Sequence, residues 1–342
     1  MTRTLLLNWY KDKEIIGGSE VIFSHLAEMF HTKVISAEEA SAYMGLPYYR
    51  EHYVHATIDR AIVFDKFIEK YENEYDLIIR NSCCGCFYKP KIPTINLFQD
   101  QSKWIGEVMQ KNGFERALFD LITTPPLLQK LCGETGINVA NSNFMKQYLD
   151  EIGVKCHHVI ELGADTDFFK PIADMIKPEW TNNYKHIGLW VGKFHFNKYN
   201  LIPEIITANP DILWILVFSG DVKKKVFASN VVVYQDLPPS ALQQLYLIAD
   251  FTINTSLYES FSLTSVESAS CNTPIIINRT GIVWDWWDER LGERVEEYSV
   301  EKYLEAINKI KEGKYNPREA IIDKGLTLEK WKEKMERLIT EI

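Results

Sequence analysis

Two carboxylates frame the stretch of sequence with the clearest chemical signature. Glu259 and Glu267 stand eight positions apart, where an apolar run gives way to a helical pattern. Eight residues of helix rise about 12 Å, so the two carboxylates can bracket an elongated, hydroxyl-bearing ligand. The backbone N–H groups of Ser262, Leu263 and Thr264 lie between them at the helix N-terminus, where the helix dipole favours a diphosphate. The spacing predicts a sugar hydroxyl on one glutamate, phosphates on the amides and a ribose on the other glutamate.

Two lysines lie upstream in the same half of the chain. Lys193 and Lys198 follow a predicted strand, and open α/β sheets bind ligands outside the carboxyl ends of their strands. Taken alone, the lysines fit a solvated surface, and Glu259 and Glu267 fit an ordinary helix. Two ammonium groups beside an amide-lined helix N-terminus nevertheless favour an anion site.

Composition limits the class of protein. The chain has 342 residues, of which 25% are charged and 46% are hydrophobic, values typical of a globular protein with two domains. A net charge of −9 argues against nucleic-acid binding. The N-terminal apolar stretch is too short for a signal peptide, so we expect a cytoplasmic protein, with peripheral membrane contact left open.

Short apolar runs alternate with amphipathic helical patterns, which indicates α/β architecture with parallel sheets. In the first half, Ser19 and Ser142 are the predicted N-caps of two helices. A polar, proline-bearing stretch between Phe169 and Lys185 predicts an interdomain linker. The expected organisation is a domain over 1–172, a second over 173–325 and a terminal helix over 326–342. The predicted strands are Leu5–Tyr10, Tyr75–Asn81, Thr94–Phe98, Asn138–Asn141, Ile187–Val191, Ile212–Phe218, Val231–Tyr234, Phe251–Thr255 and Pro274–Asn278.

The motifs around the candidate residues resemble those of glycosyltransferase family 4, retaining glycosyltransferases of the GT-B fold. The resemblance extends over nearly the whole chain in order. It is carried by Gly17-Gly18-Ser19-Glu20 for G-G-x-E, Asn141–Phe144 for S-x-x, Leu162–Phe168 for N-G-V-D-x-x-x-F, Gly192-Lys193-x4-Lys198 for G-R-x4-K, Glu259–Glu267 for E-x7-E and Ser268–Pro274 for E-A-x-A-C-G-T-P.

The resemblance implies two Rossmann-like domains facing a central cleft, with the terminal helix crossing back onto the first domain. It implies a retaining hexosyltransferase that moves a hexose from a nucleoside-diphosphate sugar, such as a UDP- or GDP-sugar, to a hydroxyl of a glycan, glycolipid or other acceptor. The N-terminal domain would bind the acceptor and the C-terminal domain the donor. The nucleotide sugar is a co-substrate, and no cofactor or metal ion is implied.

The resemblance also implies roles for individual residues. Glu259 would contact hydroxyls of the donor sugar and Glu267 the ribose, while Lys193 and Lys198 would hold the diphosphate. Gly18 would bring its backbone close to the donor phosphate or the acceptor, an approach that a Cβ would obstruct. The catalytic set is then Glu259, Lys193 and Lys198, and the donor-binding set is Gly18, Gln99, Ser262, Leu263, Thr264 and Glu267.

Three departures from the family pattern involve four positions. Ser260 and Ser262 replace the glycines of E-G-F-G, and Lys193 replaces arginine, which loses the bidentate fork but keeps the charge. Gln99 stands where many members have histidine, and a glutamine cannot act as an acid or base. Two alternatives stay open. One is a GT-B epimerase that binds nucleotide sugars, and the other, prompted by Gln99 and the two serines, is a catalytically degenerate nucleotide-sugar-binding scaffold subunit.

Candidate metal ligands carry less weight. Cys83, Cys84 and Cys86 contain one C-x-x-C spacing without a second pair or a paired histidine, so thiols packed at a strand end are expected. Asp165 and Asp167 form a D-x-D pair, the metal motif of a different glycosyltransferase fold, and a loop or hinge role is expected here. No metal site is therefore predicted.

Overall fold

The computed structural model describes residues 2–10, 17–48, 54–115, 118–173, 175–193, 196–220, 222 and 228–342. The chain divides into two units, Met1–Ile160 with Arg337–Ile342, and Glu161–Glu336. The domain limits at 172 and 325 and the docking of the terminal helix stay predictions. Within the described ranges, no helix combines the length and the apolar character that a membrane span requires.

The first unit contains a parallel six-stranded sheet. Its strands are β1 (Thr4–Leu7), β2 (Val34–Ile35), β3 (Leu77–Asn81), β4 (Thr94–Phe98), β5 (Ile137–Ala140) and β6 (His158–Val159), in the order β2-β1-β3-β4-β5-β6. Its helices are α1 (Gly18–Phe30), α2 (Ala37–Met44), α3 (Val54–Tyr71), α4 (Ser102–Lys111), α5 (Thr124–Gly133) and α6 (Asn143–Glu151). Every residue of β1, β3 and β4 is buried, as expected for parallel strands covered on both faces.

The N-termini of α6 and α1 test the two predicted N-caps, Ser142 and Ser19. Ser142 is the N-cap of α6, where its hydroxyl accepts a hydrogen bond from the Met145 N–H at 3.0 Å, as predicted. The prediction for Ser19 was wrong, because Gly17 is the N-cap of α1 and Ser19 already lies inside the helix. The Ser19 hydroxyl instead donates to Glu20 Oε1 at 2.8 Å.

The second unit contains a second parallel six-stranded sheet, in the order β12-β11-β10-β7-β8-β9. Its strands are β7 (His186–Gly192), β8 (Ile212–Phe218), β9 (Val231–Gln235), β10 (Phe251–Asn254), β11 (Ile275–Asn278) and β12 (Gly292–Val295). Its helices are α7 (Phe196–Tyr199), α8 (Ile202–Ala208), α9 (Pro239–Ile248), α10 (Leu263–Ser270), α11 (Val300–Ile310) and α12 (Pro317–Lys324), and the last helix of the chain is α13 (Leu328–Thr340).

Aromatic residues fill both faces of this sheet. Trp214 and Phe251 pack edge to face at 5.9 Å on one face. Phe169 packs against Tyr246 at 6.0 Å on the other face, so the first residue of the predicted linker belongs to the core of the second unit. These large buried rings hold the strands in place beneath the loops at their carboxyl ends.

Candidate glycosyltransferase site

The candidate residues of the second unit follow the carboxyl ends of β7 and β10. Lys193 follows β7 directly and is exposed, and Lys198 lies on the single turn α7. Glu259 lies in the loop that joins β10 to α10. Because β7 and β10 are adjacent parallel strands, their C-terminal loops emerge side by side.

Lys198 and Glu259 form an ion pair that joins these loops. The Lys198 Nζ lies 2.5 Å from Glu259 Oε1, and the two side chains are 28% and 14% exposed. The Ser256 hydroxyl donates to the same carboxylate oxygen at 2.7 Å. The structure thus brings together two of the three predicted catalytic residues, which are 61 positions apart in sequence. Charge-assisted hydrogen bonds of this kind are among the stronger polar contacts in proteins.

A neighbouring asparagine holds the loop of the ion pair in place. The Asn197 amide donates to the Tyr258 carbonyl at 2.9 Å and accepts from the Tyr258 N–H at 3.0 Å. On the other side of the loop, the Glu259 N–H donates to the Thr280 hydroxyl at 2.8 Å. Neither Asn197 nor Thr280 was identified from the sequence, because a lone polar residue after a strand carries no recognisable pattern.

The N-terminus of α10 has the predicted amides in place. Leu263 and Thr264 are half-buried residues of the first helical turn, whose N–H groups have no intrahelical acceptor. Ser262 is the N-cap residue in a left-handed conformation, with φ 79° and ψ 60°. That conformation explains why glycine is the family residue at this position, since a side chain is strained there.

Glu267 is buried, which excludes the alternative of a solvent-exposed helix residue. It is 8% exposed, and the Tyr246 hydroxyl donates to its Oε2 at 3.2 Å. Burial raises the pKa of the Glu267 carboxyl to about 8, and the hydrogen bond from Tyr246 opposes part of that rise. The carboxyl is therefore largely protonated at neutral pH in the absence of ligand.

In the first unit, Gly18 lies at the start of a helix and Gln99 at the end of a strand. Gly18 begins α1, and a Cβ built on it would meet no atom within 4 Å, so the backbone faces open space. Gln99 directly follows β4 and is half-buried.

A chain of polar side chains lies at the same edge of the first sheet. Asn81 donates to Asn8 at 2.8 Å, and the Asn8 amide lies 3.5 Å from the buried carboxylate of Glu20. This chain fixes the glutamate of the G-G-x-E motif. It was not identified from the sequence, because the two asparagines are 73 positions apart.

The structure shows the surroundings of Asp165 and of the cysteines. Asp165 Oδ1 accepts the N–H groups of Asp167 and Phe168 at 3.1 and 3.0 Å, so its carboxylate stabilises a turn. All six cysteines are free thiols, and burial raises the pKa of the Cys83 and Cys84 thiols. In the described part of the chain, no group of three or more His, Cys, Asp or Glu side chains could hold a metal ion.

Comparison with known proteins agrees with this geometry. Residues 219–327 match the family described as glycosyl transferases group 1. The matched range contains Glu259, Glu267 and the α10 amides, and the loop with the two lysines precedes it. No protein with curated annotation matches the sequence.

Solved structures with a similar fold superpose on the whole chain. Sucrose-phosphate synthase from Thermosynechococcus elongatus superposes with a TM-score of 0.79 at 17% identity, over 100% of this chain and 99% of that one. The lipopolysaccharide outer core galactosyltransferase WaaB has a TM-score of 0.64 at 13% identity, over 100% of both chains. The α,α-trehalose 6-phosphate synthase from Burkholderia multivorans has a TM-score of 0.67 at 9% identity, over 100% and 97%. These likenesses confirm the GT-B fold.

Proposed function

We propose that this chain is a glycosyltransferase that moves a hexose from a nucleoside-diphosphate sugar to a hydroxyl of a glycan, glycolipid or other acceptor, with retention of configuration. The observation that carries the proposal is the ion pair of Lys198 and Glu259 at the carboxyl ends of β7 and β10. It supports the proposal because a cation that could offset charge on a phosphate lies beside a carboxylate that could accept a sugar hydroxyl.

The cation would act on the leaving group. An ammonium has three N–H donors, and one of those on Lys198 is directed at Glu259. We propose that its remaining donors bind the β-phosphate, and that Lys193 and the α10 amides bind the same diphosphate. Because negative charge grows on the β-phosphate as the glycosidic bond breaks, these groups stabilise the transition state more than the bound donor.

The carboxylate would position the sugar. Lys198 and Ser256 both donate to Glu259 Oε1, which fixes the side chain before the donor binds. A hydroxyl of the donor sugar would donate to this carboxylate, and the anomeric carbon would then be held in a defined orientation. Glu267 would accept hydrogen bonds from the ribose.

The acceptor proton needs a base other than Gln99, which has no titratable group. We propose that the acceptor hydroxyl attacks from the face that the leaving group departs from. Its oxygen bonds to the anomeric carbon, the bond to the phosphate oxygen breaks, and the leaving phosphate takes the proton. The products are the glycoside and the nucleoside diphosphate.

A ligand screen tests the proposal directly. UDP, GDP and ADP, and the glucose and galactose derivatives of each, are added to the full chain in thermal-shift experiments. A ligand at a hundred times its dissociation constant stabilises the protein by about 2.7 kcal/mol, which is a measurable shift. We expect one nucleotide series to stabilise the chain, and the product released from that donor to keep its anomeric configuration by NMR.

Glu259→Gln is the matched control variant. It keeps the size of the side chain and removes the charge, so it should bind the nucleoside diphosphate and lose turnover with the intact donor. If none of the three nucleotide series stabilises the wild-type chain, the proposal fails. Conversion of the donor to an epimer without an acceptor would favour the epimerase alternative.

A further inference from the structure

Asn254 is the last residue of β10 and lies between the two halves of the proposed donor site. It is buried, and each end of its side-chain amide contacts a different loop segment. Its Nδ2 donates to the Ser262 hydroxyl at 2.7 Å. Its Oδ1 accepts from the Ser256 N–H at 2.8 Å.

The hydrogen bond from Asn254 to Ser262 supports a residue whose backbone conformation is strained. In the described part of the second unit, the non-glycine residues with a positive φ are Asp236, Ser262 and Asn272. Aspartate and asparagine are residue types that tolerate the left-handed region, whereas serine is not. The Ser262 hydroxyl is held by Asn254 and lies 2.8 Å from the Ser265 hydroxyl. These contacts keep a serine in a conformation that glycine adopts without strain.

The contact with Ser256 reaches the ion pair. The Ser256 hydroxyl donates to Glu259 Oε1 at 2.7 Å. By fixing the Ser256 backbone, Asn254 orients the hydroxyl that holds the proposed sugar-binding carboxylate. The Asn254 carbonyl is itself anchored by the Tyr303 hydroxyl at 2.8 Å.

We infer that Asn254 is a positioning residue that sets both the phosphate-binding turn at Ser262 and the carboxylate of Glu259. This inference rests on the proposed function, because it assigns the geometry of the donor site to a residue that does not touch the donor. Its two contacts make separable contributions, one to nucleotide binding through α10 and one to turnover through Glu259.

A double-mutant cycle separates these contributions. Asn254→Ala, Ser262→Gly and the combined variant are compared with the wild type, by calorimetry with UDP, GDP or ADP, whichever the wild type binds, and by turnover with the matching donor. Asn254→Ala should weaken nucleotide binding about fivefold to tenfold, because the strained serine loses its anchor. In the Ser262→Gly background the same change should weaken binding less than about twofold, since glycine needs no anchor.

Turnover gives the second readout. In the combined variant kcat should stay reduced, because the Ser256 backbone has still lost its acceptor. Equal loss of nucleotide affinity in both backgrounds would overturn the role at Ser262, and full recovery of kcat in the combined variant would overturn the role at Glu259. A wild-type chain that binds none of the three nucleotides would instead contradict the proposed function, and this inference with it.

A second pair of variants covers the case in which Asn254→Ala does not fold, as judged by its thermal unfolding curve. Ser262→Ala and Ser262→Gly both delete the hydroxyl and differ by one methyl group at a left-handed residue. Ser262→Gly should bind the nucleotide at least about fivefold more tightly than Ser262→Ala. Equal affinities would show that strain at position 262 does not affect nucleotide binding, which would overturn the role of Asn254 at Ser262.

Discussion

Glu267→Gln should stabilise the ligand-free protein at neutral pH. Burial on α10 raises the pKa of the Glu267 carboxyl to about 8, against 4.5 as the ordinary value. Between these two pH values the unfolded chain loses the proton that the folded chain keeps, so stability falls by about 1.4 kcal/mol per pH unit. At pH 7 the accumulated loss is on the order of 3 kcal/mol. Glutamine has the same shape, remains neutral and can accept the hydrogen bond from Tyr246, so it removes this loss.

The pH dependence distinguishes this explanation from better packing. Denaturant unfolding of the ligand-free chain, followed by tryptophan fluorescence, should show a large advantage for Glu267→Gln at pH 7 and 8. The advantage should shrink towards pH 4.5, vanish below it, where both states of the wild type are protonated, and reach its plateau above pH 8.

An exposed glutamate of the same unit provides the control. Glu204→Gln, on α8, also removes one negative charge from a chain of net charge −9, and should change stability by less than about 0.5 kcal/mol. An advantage of Glu267→Gln that is independent of pH, or a loss of stability at pH 8, would refute the account of a buried carboxyl.

The remaining predictions concern the bound state and turnover. If Glu267 accepts hydrogen bonds from the ribose as a carboxylate, nucleotide binding releases its proton. Calorimetry should then show that nucleotide affinity rises from pH 6 to pH 8 in the wild type and rises less in Glu267→Gln. Equal pH dependence of the two affinities would contradict that role. Lys198→Ala and Lys193→Ala should each lower kcat more than they raise KM, because charge grows on the leaving diphosphate, and a pure KM effect would limit that lysine to donor binding. Activity should persist in EDTA, since lysines and amides supply the charge offset, and loss in EDTA that manganese or magnesium restores would refute this.

Sequence patterns were sufficient for the long buried strands. Thr94–Phe98 and Ile212–Phe218 were predicted with both ends correct. Ile212–Phe218 is a continuous apolar run that ends before Ser219, and Thr94–Phe98 lies between Pro93 and the polar Gln99. The two-residue strands Val34–Ile35 and His158–Val159 are too short to show any period. The edge strand Gly292–Val295 is half polar, and only its pairing with the neighbouring strand β11 makes it part of the sheet.

The candidate site was predictable as a set of residues but not as an arrangement. Spacing singled out Glu259 and Glu267, yet nothing in it shows that one carboxylate is paired with Lys198 while the other is buried. Both outcomes depend on contacts between residues distant in sequence. The same is true of Asn254, whose partners are ordinary serines and whose importance comes only from the segments that it joins.

Helix α10 combines two features that lower the stability of an isolated fold. Its N-cap is a serine in the left-handed region, and five residues further on it buries the Glu267 carboxyl, which accepts a hydrogen bond from the Tyr246 hydroxyl. A glycine at 262 and an apolar residue or glutamine at 267 would each relieve one of these strains. Unfavourable local features concentrate at functional sites. Here the strained N-cap and the buried carboxyl both belong to the eight-residue helix α10 and its cap, which follow the Lys198–Glu259 pair. Packing alone gives no reason for either feature, whereas the proposed function uses both: the turn at Ser262 would present amides to a diphosphate, and the Glu267 carboxyl would accept hydrogen bonds from a ribose.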